Sequence, residues 1–194
     1  SSIPHTTDEI TDISLFDHIK TSSAMSICLR ETEENAEKPF LLIGGDFSGI
    51  QPYIYQIVSK FAGKNLKGRS FYVRLLSDAV VRFILDKLGL YQTNVIYNSG
   101  GSFYLLAPNT PSVKAQIAAT ENEIQRKFFE SHGTTIYVAI DCEEVSTETL
   151  RCASEHTLSN VWGDLFKKRD KKKLHKFSAL IKENAANFFS PSKC

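Results

Sequence analysis

The chain has 194 residues, of which 42% are hydrophobic and 23% charged, so it can bury one core and form one compact domain with appendages. Its net charge of +1 argues against nucleic-acid binding driven by the field of the whole molecule, and no apolar run approaches the roughly 20 residues of a membrane span. Four cysteines without C-x-x-C spacing favour a reducing cytoplasm over a disulfide framework. A polar start without Met suggests a piece of a longer protein.

The first 38 residues are polar, with a short helical pattern over residues 19–29 followed by a charged stretch, and they are interpreted as a connector ending in a flexible loop. Residues 40–43 are apolar on both faces and precede Gly44-Gly45, which suits a buried central strand that stops at the glycines. Apolar residues then recur at helical spacing, which predicts two helices on either side of a loop at residues 63–68; the first carries Ile50, Ile54, Ile57 and Phe61.

Two short aromatic and β-branched runs flank Asn98-Ser99-Gly100-Gly101, which predicts a β-hairpin with a Gly-Gly tip. An amphipathic helix closed by Gly133 and a strand over residues 135–140 follow. The predicted fold is therefore α+β, a ferredoxin-like β-α-α-β-β-α-β palm whose four antiparallel strands run in the order 4-1-3-2, with helices on one face and C-terminal helices added. We expect a connector at 1–38, the palm at 39–145 and a helical extension at 146–194.

The segment from Gly44 to Gln51 joins a buried strand to a helix, a place where backbone N–H groups and a helix N-terminus can bind an anion such as a triphosphate. Asp46 can hold a divalent cation, Mg²⁺, beside that phosphate. The alternative is that Ser48 caps the helix and the glycines only turn the chain. The predicted strand order brings Asp46 and the hairpin tip to one edge of the sheet.

Three further patterns in the sequence could carry chemistry. The glycines of the hairpin allow a ligand to approach the backbone closely, although an ordinary turn needs no ligand. Lys64, Lys67 and Arg69, in the predicted loop before the second helix, suit phosphate or RNA contact or simple solvation. The basic run at 167–176 is either an RNA or acidic-partner contact or an exposed face. No His or Cys cluster has metal-ligand spacing, and no Ser-His-Asp or Cys-His arrangement is present in the sequence.

Together, three segments carry a family resemblance: residues 45–51 (GDFSGIQ), 66–72 (LKGRSFY) and 98–109 (NSGGSFYLLAPN). They resemble the first palm domain of the large subunit of type III CRISPR effector complexes, most closely the Csm (III-A) branch. The leader at residues 14–21 (SLFDHIKT) resembles that branch's junction with a preceding HD-type nuclease domain.

The resemblance implies a palm similar to GGDEF cyclases that faces a second, catalytic palm, with ATP between them for cyclic oligoadenylate synthesis. It places eight residues near the nucleotide: Asp46, Phe47, Ser48, Gly49, Ser99, Gly100, Gly101 and Ser102. The catalytic Gly-Gly-Asp-Asp hairpin belongs to the second palm, whereas this hairpin has Ser102 after its glycines, so no catalytic residue and no enzyme activity are expected in this chain. Implied partners are other effector subunits and, through the complex, guide and target RNA.

Two functions remain open for the chain. One is an ATP-binding half-site of a cyclic oligoadenylate synthetase. The other is a scaffold that contacts neighbouring subunits and guide or target RNA. A third, an autonomous GGDEF-type cyclase, is disfavoured by Ser102.

Overall fold

The fold is a four-stranded antiparallel sheet with helices on both faces. The computed structural model describes residues 14–55 and 62–183; the side chains of Ala62, Ala179 and Glu183 are not described. The elements in chain order are α1 (Leu15–Glu31), β1 (Phe40–Ser48), α2 (Ile50–Tyr55), α3 (Ala62–Leu88), β2 (Val95–Ser99), β3 (Ser102–Pro108), α4 (Pro111–His132), β4 (Tyr137–Val145), α5 (Thr147–Leu150), α6 (Leu158–Leu174) and α7 (Ser178–Glu183). Along the sheet the strands run β2-β3-β1-β4, which confirms the predicted order 4-1-3-2.

One face of the sheet packs against α3 and α4. Leu41 and Ile43 of β1 point to this face, because alternate residues of a strand share a side, and they meet Ile84 of α3 and Ile124 of α4. Phe128 belongs to the same buried cluster and closes it near the end of α4. This is the palm core that the helical and strand periodicities predict.

The opposite face is covered by α1 and α6. Leu42 of β1 and Leu106 of β3 pack there with Cys28 of α1 and with Val161 and Leu165 of α6. Burial raises the pKa of the Cys28 thiol to about 12, so this cysteine is an inert core residue at neutral pH. The sequence predicted helices at both ends of the chain but not that they cover this face.

Three local predictions were wrong. β1 continues through Gly44-Gly45 to Ser48, where it still pairs with Tyr137 of β4. The predicted loop at 63–68 is the first part of the long helix α3. A Cβ on Gly63 or Gly68 would meet no atom within 4 Å, so neither glycine is required by packing, and a helix tolerates glycine at a modest cost. The last strand begins at Tyr137 rather than at 135.

The bounds of α1 and α2 differ from those predicted for the first two helices. The predicted helix at 19–29 is α1, which starts earlier because the Ser14 side chain accepts a hydrogen bond from the Asp17 N–H as an N-cap. α2 is described over Ile50–Tyr55, and Ile57 and Phe61 of the predicted helix lie outside the described residues. No helix within residues 14–55 and 62–183 is long and apolar enough to cross a membrane.

Candidate functional site

The end of β1 and the hairpin tip meet, as the predicted strand order requires. Asp46 and Ser102 are cross-strand partners, and the Ser102 hydroxyl donates a hydrogen bond of 2.5 Å to Asp46 Oδ1. One residue further on, the Phe47 N–H donates to the Gly101 carbonyl at 2.8 Å. Segments more than fifty residues apart in sequence therefore form one continuous edge.

The turn at the hairpin tip has two glycines with different surroundings. Gly100 has φ +63° and Gly101 has φ +83°, the pair of positive angles that a type I′ turn requires. A Cβ on Gly101 would lie 2.4 Å from Ile50 Cδ1, whereas a Cβ on Gly100 would meet nothing within 4 Å. Gly101 is thus packed against α2, and Gly100 is the open point of the turn.

The glycines inside β1 serve packing. A Cβ on Gly45 would lie 2.0 Å from the ring of Phe103, and a Cβ on Gly44 would lie 2.8 Å from Leu165 Cδ2. The two residues therefore make room for a core ring on one face and for α6 on the other. Both also sit in the ladders that join β1 to β3 and β4. Their role differs from the predicted chain turn beside a phosphate.

The residues between β1 and α2 supply a framework for the edge. Phe47 is 6% exposed and its ring lies among the core rings of Phe103 and Phe128. Gly49 has φ +87°, and a Cβ there would lie 1.9 Å from the Thr135 carbonyl oxygen. α2 begins at Ile50, directly after Gly49, and anion binding at its N-terminus stays a prediction. Nucleotide contact by Phe47, Ser48 and Gly49 stays a prediction.

The Asp46 carboxylate already has a cationic partner. Lys173 of α6 forms an ion pair with Asp46 Oδ2 and another with Asp170 Oδ1 at 3.0 Å. Burial disfavours the charged form of Lys173, but the hydrogen bonds to Asp46 and Asp170 outweigh it and raise its pKa, so the side chain is an ammonium at neutral pH. In the parts of the chain that are described, no three His, Cys, Asp or Glu side chains form a group able to hold a metal ion.

A cleft of about 260 Å³ lies on the other side of the hairpin tip, toward α2 and α3. The cleft is lined by Ile50, Ile54, Ser70, Val73, Arg74, Ser77, Ser99, Gly100 and Gly101. Asp46 is not among them, because it points toward α6. The tip therefore separates a paired carboxylate on one side from an open, mostly apolar cleft on the other.

A polar network on α3 holds this cleft in shape. Ser77 Oγ donates to Asn98 Oδ1 at 2.7 Å, Asn98 Nδ2 donates to Asp78 Oδ1 at 2.7 Å, and Arg74 Nε donates to Asp78 Oδ2 at 3.1 Å. Ser70, Arg74 and Ser77 were not predicted from the sequence as site residues. Their spacing of four and three residues was the available signal, since such residues share one helix face, but other polar residues of α3 make that signal weak.

Of the three cations predicted to meet phosphate or RNA, one has an internal role. Arg69 donates to the Tyr53 carbonyl oxygen and lies over the Tyr53 ring at 5.1 Å, which ties α3 to α2. Lys64 and Lys67 lie exposed in the first turns of α3 rather than in a loop. Phosphate or RNA contact by these two lysines stays a prediction.

The basic run on α6 is used mainly inside the molecule. Lys168 pairs with Glu143 at 2.7 Å, and Lys172 pairs with Glu121 at 2.7 Å. Arg169 is only 3% exposed and donates to the Tyr104 hydroxyl at 2.9 Å. These contacts clamp α6 to the sheet, so much of the run is unavailable to an RNA backbone.

A β-α-α-β-β-α-β sheet that pairs a first-strand aspartate with a Gly-Gly hairpin defines the class: this is a ferredoxin-like palm domain, with serine where a carboxylate would follow the hairpin glycines. Residues 39–193 match the family model of the Csm1 subunit domain B, and the chain belongs to that family.

Relatives from two bacteria carry the name CRISPR system single-strand-specific deoxyribonuclease Cas10/Csm1 (subtype III-A). The protein of Enterococcus italicus is 34% identical over 201 residues, covering 92% of this chain and 26% of the relative. That of Mycobacterium tuberculosis is 33% identical over 210 residues, again covering 92% and 26%. The chain therefore spans about a quarter of the length of the curated relatives it matches.

Solved structures agree with this assignment. A Csm1–Csm4 cassette in complex with one ATP superposes with a TM-score of 0.80 at 35% identity, covering 91% of this chain and 25% of the other. A Csm1–Csm4 cassette in complex with cA4 gives a TM-score of 0.80 at 34% identity, with the same coverage. Csm1 of T. onnurineus gives 0.78 at 34%, covering 89% and 24%. The chain is thus a fragment-length match to the large subunit of a type III-A effector.

Proposed function

We propose that this chain is the non-catalytic first palm of a type III-A effector large subunit and contributes half of an ATP site to cyclic oligoadenylate synthesis by a paired second palm. The observation that supports it best is the hairpin tip, where the backbone is open at Gly100 and Ser102, not a carboxylate, follows the two glycines. On this proposal its partners are other effector subunits and, through the complex, guide and target RNA. Its location is the cytoplasm.

The same tip argues against catalysis by the chain itself. Attack of a 3′-oxygen on a triphosphate in a palm uses two metal ions held by several carboxylates. Here the single first-strand carboxylate, Asp46, faces the Ser102 hydroxyl and the Lys173 ammonium. We therefore expect no linear or cyclic oligoadenylate from the chain with ATP and Mg²⁺ or Mn²⁺, measured by mass spectrometry.

The cleft on the α3 side is where we place the nucleotide. Ile50, Ile54 and Val73 offer an apolar floor for a base or ribose, and Arg74 adds a cation at the same wall. A cleft open on one side buries only one face of a ligand, whereas good sites bury about 70–90% of it. The chain alone should therefore bind ATP with millimolar affinity or weaker, and the second palm should supply the other face.

The scaffold alternative has its own supporting observation. Phe71 and Leu75 lie one turn apart on α3 and are 64% and 49% exposed, more apolar surface than a solvent-facing helix needs. A relative of this chain is solved as a Csm1–Csm4 cassette, so contact with a neighbouring subunit is expected of the whole protein. This role is compatible with a half-site in the complex but predicts a different response to ATP.

An ATP titration followed by amide chemical shifts separates the two functions. For the half-site we expect concentration-dependent shifts at Ser99, Gly100, Gly101 and Ser77, with GTP as the comparison ligand. If saturating ATP moves none of these amides while the spectrum remains that of a folded protein, the half-site proposal fails and the scaffold role takes its place.

A further inference from the structure

The Asp46 carboxylate has both of its oxygens engaged. Ser102 Oγ donates to Oδ1, and the Lys173 ammonium contacts Oδ2. The two paired side chains are only 23% and 24% exposed, so solvent screens their attraction far less than that of a surface pair. We infer that Lys173 is the resident cation of Asp46, which fills the place of a divalent metal so that this palm holds no metal ion of its own there.

The donor set around Asp46 fits an ammonium and not Mg²⁺. Mg²⁺ needs near-octahedral oxygen coordination and loses its waters reluctantly, so a single carboxylate already bound by a hydroxyl and an ammonium is a poor site. A metal at Asp46 would either lie beside the Lys173 charge or have to displace it. Like charges at contact distance cost free energy, and a tethered ammonium does not dilute away.

The Lys173 side chain is held in this place from three sides. Asp170, one turn earlier on α6, binds the same ammonium at 3.0 Å, and the Phe166 ring lies 5.8 Å from it. α6 itself is fixed to the sheet by the buried Leu165 and by Arg169, which contacts the Gly45 carbonyl oxygen at 3.4 Å. The cation is therefore preorganised, and it connects α6 through Asp46 to the Ser102 end of the hairpin.

This inference rests on ion pairs and hydrogen bonds alone, and it does not depend on the proposed function. Its test contains no nucleotide, so it can fail while ATP still binds in the cleft. The probe is Mn²⁺, which prefers the same oxygen ligands as Mg²⁺ and broadens the amide signals of nearby residues.

The experiment compares the 194-residue chain with three variants during a Mn²⁺ titration to millimolar concentration. The wild type should show no selective broadening at the Asp46 and Ser102 amides. Lys173→Met frees the carboxylates of Asp46 and Asp170, so selective broadening should appear there. Lys173→Arg keeps a cation and should stay like the wild type. Lys168 lies on the same helix as Lys173 and pairs with Glu143 of β4, so Lys168→Met removes a different ion pair and should leave the Asp46 signal unchanged.

Two results would overturn the inference. Selective broadening at Asp46 in the wild type would show that a metal binds despite Lys173. No broadening in Lys173→Met, with the amide spectrum of a folded protein, would show that Lys173 is not what keeps a metal away. Should Lys173→Met fail to fold, Lys173→Gln, which is neutral but keeps a hydrogen-bond donor, carries the same expectation.

Discussion

Ser102 and Asp46 are cross-strand partners joined by a hydrogen bond of 2.5 Å from hydroxyl to carboxylate. This contact joins the tip of the β2–β3 hairpin to β1. A serine thus does structurally what a second carboxylate could not, because two carboxylates facing each other across a pair of strands would repel.

Removing this hydroxyl should loosen the hairpin. Ser102→Ala leaves Asp46 Oδ1 without its donor, and a hydrogen bond to a charged group contributes about 1.5–3 kcal/mol, so the free energy of unfolding should fall by that amount. Ser99→Ala is the matched control, since Ser99 is the exposed serine on the other side of the same turn. Urea unfolding of both variants measures the difference. Equal stabilities would contradict a structural role for the Ser102 hydroxyl.

Gly45 should tolerate no side chain. A Cβ there would lie 2.0 Å from the Phe103 ring, which is fully buried and cannot move aside, so Gly45→Ala should lower the free energy of unfolding by about 2–3 kcal/mol. Gly163→Ala in α6 is the control, because a Cβ there meets nothing within 4 Å and alanine favours a helix by about 0.5–1 kcal/mol. Denaturant unfolding should therefore give shifts of opposite sign, and a stable Gly45→Ala would contradict the packing role.

The strand order could be predicted because its signals are local. The Asn-Ser-Gly-Gly turn, the apolar run at residues 40–43 and the helical periodicity of residues 113–128 each depend on neighbours in sequence. The meaning of Gly44-Gly45 could not be predicted in this way. Their partners, Leu165 and Phe103, are far away in sequence, so two packing glycines had the same pattern as a strand end.

The site was predicted in part for the same reason. Asp46 and the hairpin tip follow from strand order, but the partner of Asp46 is Lys173, in a run of lysines that resembles an exposed face. Only the fold places Glu121, Asp141 and Glu143 opposite that run. Ser77 and Arg74 were not predicted as site residues because Asn98, the partner that connects Ser77 to the hairpin, lies on β2 and meets α3 only in the fold.

Glu121 should make stability fall as pH rises through the acid range. Burial raises its pKa above the ordinary value of 4.5, and the Lys172 ammonium opposes the shift without cancelling it. The folded protein therefore holds a proton more tightly than the unfolded chain, and the stabilisation present below pH 4.5 is lost between that value and the higher folded pKa. Urea unfolding across this range should show a weaker decline in Glu121→Gln than in the wild type.

Glu144 is the control for this pH dependence, because its shift has the opposite sign. A hydrogen bond from Lys114 lowers the pKa of Glu144, so its contribution is present above pH 4.5 and is lost as pH falls through the folded value. Glu144→Gln should remove a small amount of stability at neutral pH and leave the decline attributed to Glu121 in place. A Glu121→Gln profile parallel to that of the wild type would contradict the assignment.

Neighbouring lysines of α6 should respond very differently to charge reversal. Lys172 contacts Glu121 at 2.7 Å and Asp141 at 3.4 Å, so Lys172→Glu would place three carboxylates together and should lower the free energy of unfolding by about 2–3 kcal/mol. Lys171 is exposed, so Lys171→Glu should change stability by less than about 0.5 kcal/mol. Thermal and denaturant unfolding test the pair, and equal losses would mean that the run is not clamped to the sheet as described.

The hairpin tip offers the sharpest test of the half-site in the full-length subunit. Gly100 has φ +63° and open space where a Cβ would be, so asparagine, which tolerates this left-handed conformation, should fold there while projecting into the space that the nucleotide would use. Gly89→Asn is a close match, because Gly89 has φ +64° and the same open surroundings but lies just beyond the far end of α3. By helix rise it is about 18 Å past Ser77.

We expect Gly100→Asn to weaken ATP binding in the reassembled effector by about tenfold, or 1.4 kcal/mol, and to reduce oligoadenylate output. Gly89→Asn should leave both unchanged. Equal ATP affinity and output in the two variants, at equal thermal stability, would mean that no nucleotide approaches this turn.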